Sequence, residues 1–225
     1  MTKGNVADRE LQTRAEDSAG SRATQLVERL LDVGIDGRGP FAPARNVADA
    51  AVAGHGGGED AVDAVVRSHY RLAAAGGFVT GLGGFVTMPV ALPANVLEFY
   101  LVATRMVAAI ASVRGYDISR PEVRSAVLLT LVGADADDLL KKAGYASTGR
   151  LANLAAQRLP GPVLLAVNKG VGFRLVTQLG RKGLSLFGRA VPLAGGVVGA
   201  GVDLWLLKRI AEQARQEFPR RAAQA

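Results

Sequence analysis

Between Arg71 and Glu98 the chain runs for 26 residues, Leu72 to Leu97, without one charged side chain. That passes the roughly 18–20 apolar residues a membrane span requires. The same stretch holds Gly76, Gly77, Gly81, Gly83, Gly84, Pro89 and Pro93, which a plain apolar span would not. Pro89 and Pro93 divide it into a glycine-rich helix and the start of another. Gly76-Gly77-Phe78-Val79-Thr80 returns seven residues later as Gly83-Gly84-Phe85-Val86-Thr87, so like residues recur on nearly one helix face. Stripes of glycine let a second helix approach closely, in a membrane or in a tight bundle core.

The remaining pattern is helical. No alternation of apolar and polar residues bounded by hairpin turns occurs, and the expected fold is all-α, a multi-helix bundle with glycine-rich apolar central helices. Residues 1–23 mix Asp and Glu with Arg and have almost no large apolar side chains, which predicts a disordered polar tail. Residues 24–58 read as a short helix, ended by Gly34, Gly37, Gly39, Pro40 and Pro43, followed by a Gly/Pro-rich linker that closes on Gly54-His55-Gly56-Gly57-Gly58. A helical domain then fills 59–218, opening with Glu59 and Asp60 at the positive end of a helix, and 219–225 form a C-terminal tail. Within that domain, helices are expected from about Pro93 to Val113, stopped by Gly115, and after Ser119-Arg120-Pro121-Glu122, which has the form of a capping box. Another is expected between Thr148 and Leu159. A second uncharged glycine-rich stretch, Val191 to Val202 with Gly195, Gly196 and Gly199, leads into Asp203, Trp205 and a polar helix ending near Phe218. The glycines 76, 77, 81, 83, 84, 195, 196 and 199 are the expected helix-packing positions.

Composition removes much chemistry. With no cysteine and only His55 and His69, thiolate sites, thiol nucleophiles and histidine metal centres have little to be built from. No Gly-Lys-Ser/Thr forms a P-loop, and His55-Gly56-Gly57-Gly58 lacks the Gly-x-Ser-x-Gly elbow that an esterase would pair with it. Asp135, Asp137 and Asp138 read as acids at a helix start, without the later glutamate of a calcium loop. No catalytic residue, metal or cofactor is assigned. The net charge of +7 is concentrated: residues 141–225 carry fourteen basic and three acidic groups. Such a field attracts anionic lipid or nucleic acid. Aromatic stacking residues are scarce and no reading module is present, so nucleic acid is not the expected partner.

On a helical wheel Arg174, Arg181, Lys182 and Arg189 gather on one side, with Phe173, Leu175, Leu184 and Phe187 opposite. This basic amphipathic helix is the candidate membrane-binding element. Five polar residues interrupt apolar surroundings, namely His69, Glu98, Arg105, Asp117 and Asp203, and are expected to form a buried polar network. Charges taken out of water need partners. Glu98 and Arg105 stand seven residues apart, an awkward reach for one ion pair.

The order of features resembles the EcsC family of bacterial helical proteins over roughly residues 60–218. The resemblance rests on His69 before the glycine segment, Gly81-Leu82-Gly83-Gly84, Leu92-Pro93, and Arg105 to Ala111 followed by Gly115-Tyr116-Asp117. It continues through Pro121-Glu122-Val123-Arg124 and the late Val191-Pro192-Leu193-Ala194-Gly195-Gly196 with Asp203. Ala91 stands where an acid before Leu-Pro is usual, and Arg114 where tyrosine is expected. The resemblance implies an all-helical fold and, for the family's namesake, association with an ABC transporter; it supplies no reaction. The combined expectation is a non-enzymatic protein of the cytoplasmic membrane face, its partner an anionic membrane surface, a membrane protein complex or both. The alternatives are a soluble helical adaptor, an apolar-ligand-binding module, or a hydrolase built on His69, Asp117 or Glu98.

Overall fold

The computed structural model describes residues 20–39, 41–81, 88–144, 151, 159–187 and 195–221, with backbone alone for 74–81, 88–96, 134, 178–187, 195–200 and 202. Among the described residues the secondary structure is helical throughout. Helix α1 runs from residue 20 and ends in a π-helical turn, Leu30–Ile35. It is followed by α2 (Ala44–His55), α3 (Glu59–Gly81), α4 (Met88–Val113) and α5 (Pro121–Val132). A 3-10 turn, Gly133–Asp135, leads into α6 (Ala136–Lys142), and the long helices α7 (Gly161–Phe187) and α8 (Gly195–Glu217) complete the fold.

The core is built around α4, which packs against α1, α2, α3, α5, α7 and α8. Only Glu98 and Arg105 in its 26 residues are charged, and Met106 through Ala111 are wholly buried. A helix apolar all round is stable only when neighbours surround it. Glycine ends α4: Gly115 takes φ 86°, its N–H donates to Ser112 O, and Tyr116 N–H reaches back to Ala111 O at 3.0 Å. This pair of bonds satisfies carbonyls that the helix end leaves open.

Three sequence expectations change here. Residues 44–55 form α2, whose Ala44, Ala48 and Ala51 join the core, rather than linker. The flanking prolines and glycines bound this helix instead of dissolving it. Helix α4 begins at Met88, five residues before Pro93; Pro89 lies in its first turn, where a missing N–H costs nothing. Ser119 does not cap α5; Arg120 is the capping residue without a side-chain bond, and the Ser119 hydroxyl donates to Asp117 Oδ1 at 2.6 Å. The helix expected between Thr148 and Leu159 falls almost wholly outside the described residues, as does the 1–23 tail up to residue 19.

Polar contacts give the long helices their directions. Arg215, near the end of α8, pairs with Glu59 at 2.9 Å and with Asp63, both in the first turns of α3. Arg114, just past α4, reaches the same Glu59 at 2.5 Å. The start of α3 and the ends of α4 and α8 therefore share one end of the bundle, here called the base. Tyr116 stacks edge-on against Phe218 there, and its hydroxyl donates to Pro219 O at 3.1 Å. Helix α7 runs parallel to α5, since Ser125 bonds Asn168 and, further along, Asp135 meets Arg174. It therefore climbs away from the base.

Candidate functional site

At the end opposite the base lie the C-terminal half of α3, the N-terminal halves of α4 and α8, and the last turns of α7. The three uncharged tracts Leu72–Gly81, Met88–Leu97 and Gly195–Val202 all belong to that end. Their boundaries also agree in height. The Arg215 contacts set position 72 of α3 opposite about 205 of α8, and the short α3–α4 connection sets it opposite about 97 of α4. Charge begins on all three helices within about one turn, at Arg71, Glu98 and Asp203. Beneath the boundary, Arg67, Arg71, Lys208 and Arg209 are exposed, and Leu72 and Trp205 are exposed beside it, the latter 55%. The Arg209 guanidinium lies 5.1 Å from the Trp205 ring centroid. A second feature of charge joins it: residues 139–202 hold nine basic residues and no acid.

Helix α7 only partly matches the wheel. Val167, Val171 and Leu175 are its buried stripe, and Gly172 sits so close to Ala23 of α1 that a Cβ would strike the Ala23 carbonyl. Phe173 and Leu165 face outward, 54% and 70% exposed. Arg174 is engaged by protein: its Nε lies 3.2 Å from Asp135 and its Nη2 3.6 Å from Asp138. The acids read as a helix start thus hold α6 against α7, and Asp138 also bonds Lys142 at 2.9 Å. Arg181, Lys182 and Phe187 lie on the last turns of α7, with side chains outside the described set; Arg189 is outside it altogether.

Of the five residues expected in one polar network, Arg105 is near enough to His69 for its charge to act on the imidazole. His69 of α3 is 2% exposed. Its Nδ1 donates to Val65 O at 2.8 Å, which places the proton on that nitrogen and leaves Nε2 an acceptor with no partner among the described residues. Burial depresses the imidazole to a pKa of about 4; the Val65 bond opposes this, and the nearby positive charge of Arg105 adds to it. Arg105 of α4 is half-buried, its guanidinium 5.7 Å from the Phe41 ring centroid, and it makes no ion pair among the described residues. Its Nε also lacks a hydrogen bond. Glu98 is half-buried two turns away and does not bridge to it. Asp203 is half-buried at the start of the charged part of α8. Asp117 does not belong to a buried network. It is exposed at the base, where it accepts from Ser119 N–H and hydroxyl and meets Arg45 at 3.5 Å, bonds that hold its carboxyl below the usual range. It sits two residues past the glycine that ends α4, where the chain turns over the surface.

A model of the EcsC protein family matches residues 57–222. The chain belongs to the EcsC family. No curated protein and no solved structure matches it. The EcsC match opens just before α3 and takes in the base, buried His69, half-buried Arg105 and the uncharged end. Helices α1 and α2 precede it yet complete its core, for a Cβ on Gly34 would stand 2.9 Å from Thr104 of α4. Sequence reasoning missed Gly34 and Gly172 as packing positions; the only signal available was a glycine inside a helical period. The expected packing at Gly76, Gly77, Gly81, Gly195, Gly196 and Gly199 concerns positions described by backbone alone, and Gly83 and Gly84 lie outside the described residues. Among the described residues no group of three His, Asp or Glu is placed to hold a metal, and no helix is long and apolar enough to cross a membrane.

Proposed function

We propose that this EcsC protein is a peripheral membrane protein, without catalytic activity of its own, that docks on the anionic cytoplasmic face of a bilayer. The observation that carries the reading is the separation of charge along the bundle. Glu59 and Asp63 hold their ion pairs at the base, Asp135 and Asp138 theirs beside α7, and the far end combines three uncharged tracts with the last turns of the basic helix α7. Apolar segments flanked by arginine and lysine partition to the interface, where each basic group near an anionic surface is worth about 1 kcal/mol. Arg181, Lys182 and Arg189 are the cations that serve this role; Arg174 is already engaged by Asp135 and Asp138.

The test is flotation of purified full-length protein with phosphatidylglycerol-containing and with neutral vesicles at low and high salt. Salt-sensitive flotation with the anionic vesicles is expected. Reversing Arg181, Lys182 and Arg189 to glutamate together should reduce it about a hundredfold, at roughly fivefold per site. Unchanged flotation of the triple variant would refute the electrostatic part. A second reading, an adaptor within a membrane protein complex, draws on the outward Leu165 and Phe173 of α7, and protein that stays in solution with every vesicle would favour it.

A further inference from the structure

If membrane docking holds, the coplanar charge boundary says how the molecule sits. We infer that the bundle stands end-on in the bilayer, with the uncharged ends of α3, α4 and α8 entered into one leaflet and Trp205 at the interface. The inference rests on the membrane reading above and adds an orientation and a depth.

Height decides the depth. Leu72–Gly81 and Met88–Leu97 each supply ten helical residues above the boundary and Gly195–Val202 supplies eight, which at 1.5 Å per residue gives about 12–15 Å. A hydrocarbon core is about 30 Å thick, so the end matches one leaflet and falls far short of two. Trp205 and Leu72 at the boundary are residues an interface selects. Trp205 offers an exposed indole of the kind enriched at headgroup level, and Leu72 is exposed on the helix packed beside it. The belt just below, Arg67, Arg71, Lys208 and Arg209, is positioned to meet phosphate groups, with Arg209 stacked on the indole. No carboxylate lies within the three tracts; Glu98 and Asp203, both half-buried, stand at the boundary itself, and the exposed charges of the belt on α3 and α8 are basic. The outward side of α7 fits less well as the contact, because Arg174 beside Phe173 is already engaged by acids.

Trp205 is the single tryptophan of the chain, which makes the native protein its own probe. Full-length protein is bound to phosphatidylglycerol vesicles carrying lipids brominated at shallow or at deep acyl positions, and flotation is scored on the same samples. The expected result is a blue shift of Trp205 emission with stronger quenching by shallow than by deep bromines. In a Trp205→Phe, Phe173→Trp variant the emission should be neither shifted nor quenched. Leu72→Glu, at an exposed boundary position, should weaken binding about tenfold, while Val52→Glu, exposed on α2 away from that end, should leave it unchanged. Flotation with an unquenched Trp205 and a quenched tryptophan at 173 would overturn the end-on pose and leave membrane docking intact. Stronger quenching by deep bromines would overturn the one-leaflet depth. Absence of flotation from every vesicle would remove the membrane reading and this inference together.

Discussion

His69 shows how one residue can set the acid limit of the whole bundle. Its imidazole is held neutral in the folded protein down to about pH 4, whereas in the unfolded chain it takes a proton near 6.5. Between those values the unfolded state binds more protons, so stability is full above 6.5 and falls as pH drops through the window. The expected loss between pH 7 and pH 5 is about 2 kcal/mol, read as the shift in urea midpoint. A His69→Gln variant should be less stable at pH 7 and should lose most of that pH dependence. If its profile parallels the parent, the buried imidazole is not the group responsible. The sequence showed that His69 lies on an apolar helical face and that Arg105 is a charge in an apolar run. It did not show that the charge of Arg105 is felt at His69, because the α3–α4 register decides that. It misled at Asp117, which reads as one of the polar residues interrupting apolar surroundings, although the chain has by then left the core.

At the scale of helices, glycine has two opposite meanings that spacing alone does not separate. Gly172 lies where α7 crosses α1, and an added methyl group would meet the Ala23 carbonyl, a backbone atom with nowhere to go. Gly172→Ala should cost about 2–3 kcal/mol in urea unfolding. Gly54, inside α2, has open space where a methyl group would stand, with no neighbouring atom within 4 Å, and Gly54→Ala should instead stabilise by up to about 1 kcal/mol. Equal effects at the two sites would contradict the packing described. Helices with strong internal signals were legible: Gly115 ending α4, Glu59 opening α3, and the last helix closing near Phe218. Helix α2 was not, since its 12 residues lie between proline and glycine clusters and are rich in alanine, which leaves little apolar contrast to read. The outward turn of Phe173 was also hidden, because the α7 wheel is amphipathic in more than one direction and α1, α5 and α6 choose which side is covered.

Across the whole molecule, the base is closed by contacts between residues far apart in sequence. Arg215 meets Glu59 and Asp63 across 156 and 152 positions. Arg215→Ala should cost about 1–3 kcal/mol, since it strips a partly buried cation from two carboxylates at once, and an Asp63→Ala variant should show a smaller loss. An Arg215→Ala effect confined to the C-terminal helix, seen as faster amide exchange there alone, would show that α8 is not coupled to the rest. That long-range closure has a consequence in time. On the ribosome, the glycine-rich hairpin of α3 and α4 emerges long before the helix that flanks it, so every nascent chain passes through a stage with its most apolar surface uncovered. Chains released early, ending near residue 194, should be captured by chaperones or should aggregate, whereas full-length chains should not, and translation rate through the last helix should govern yield.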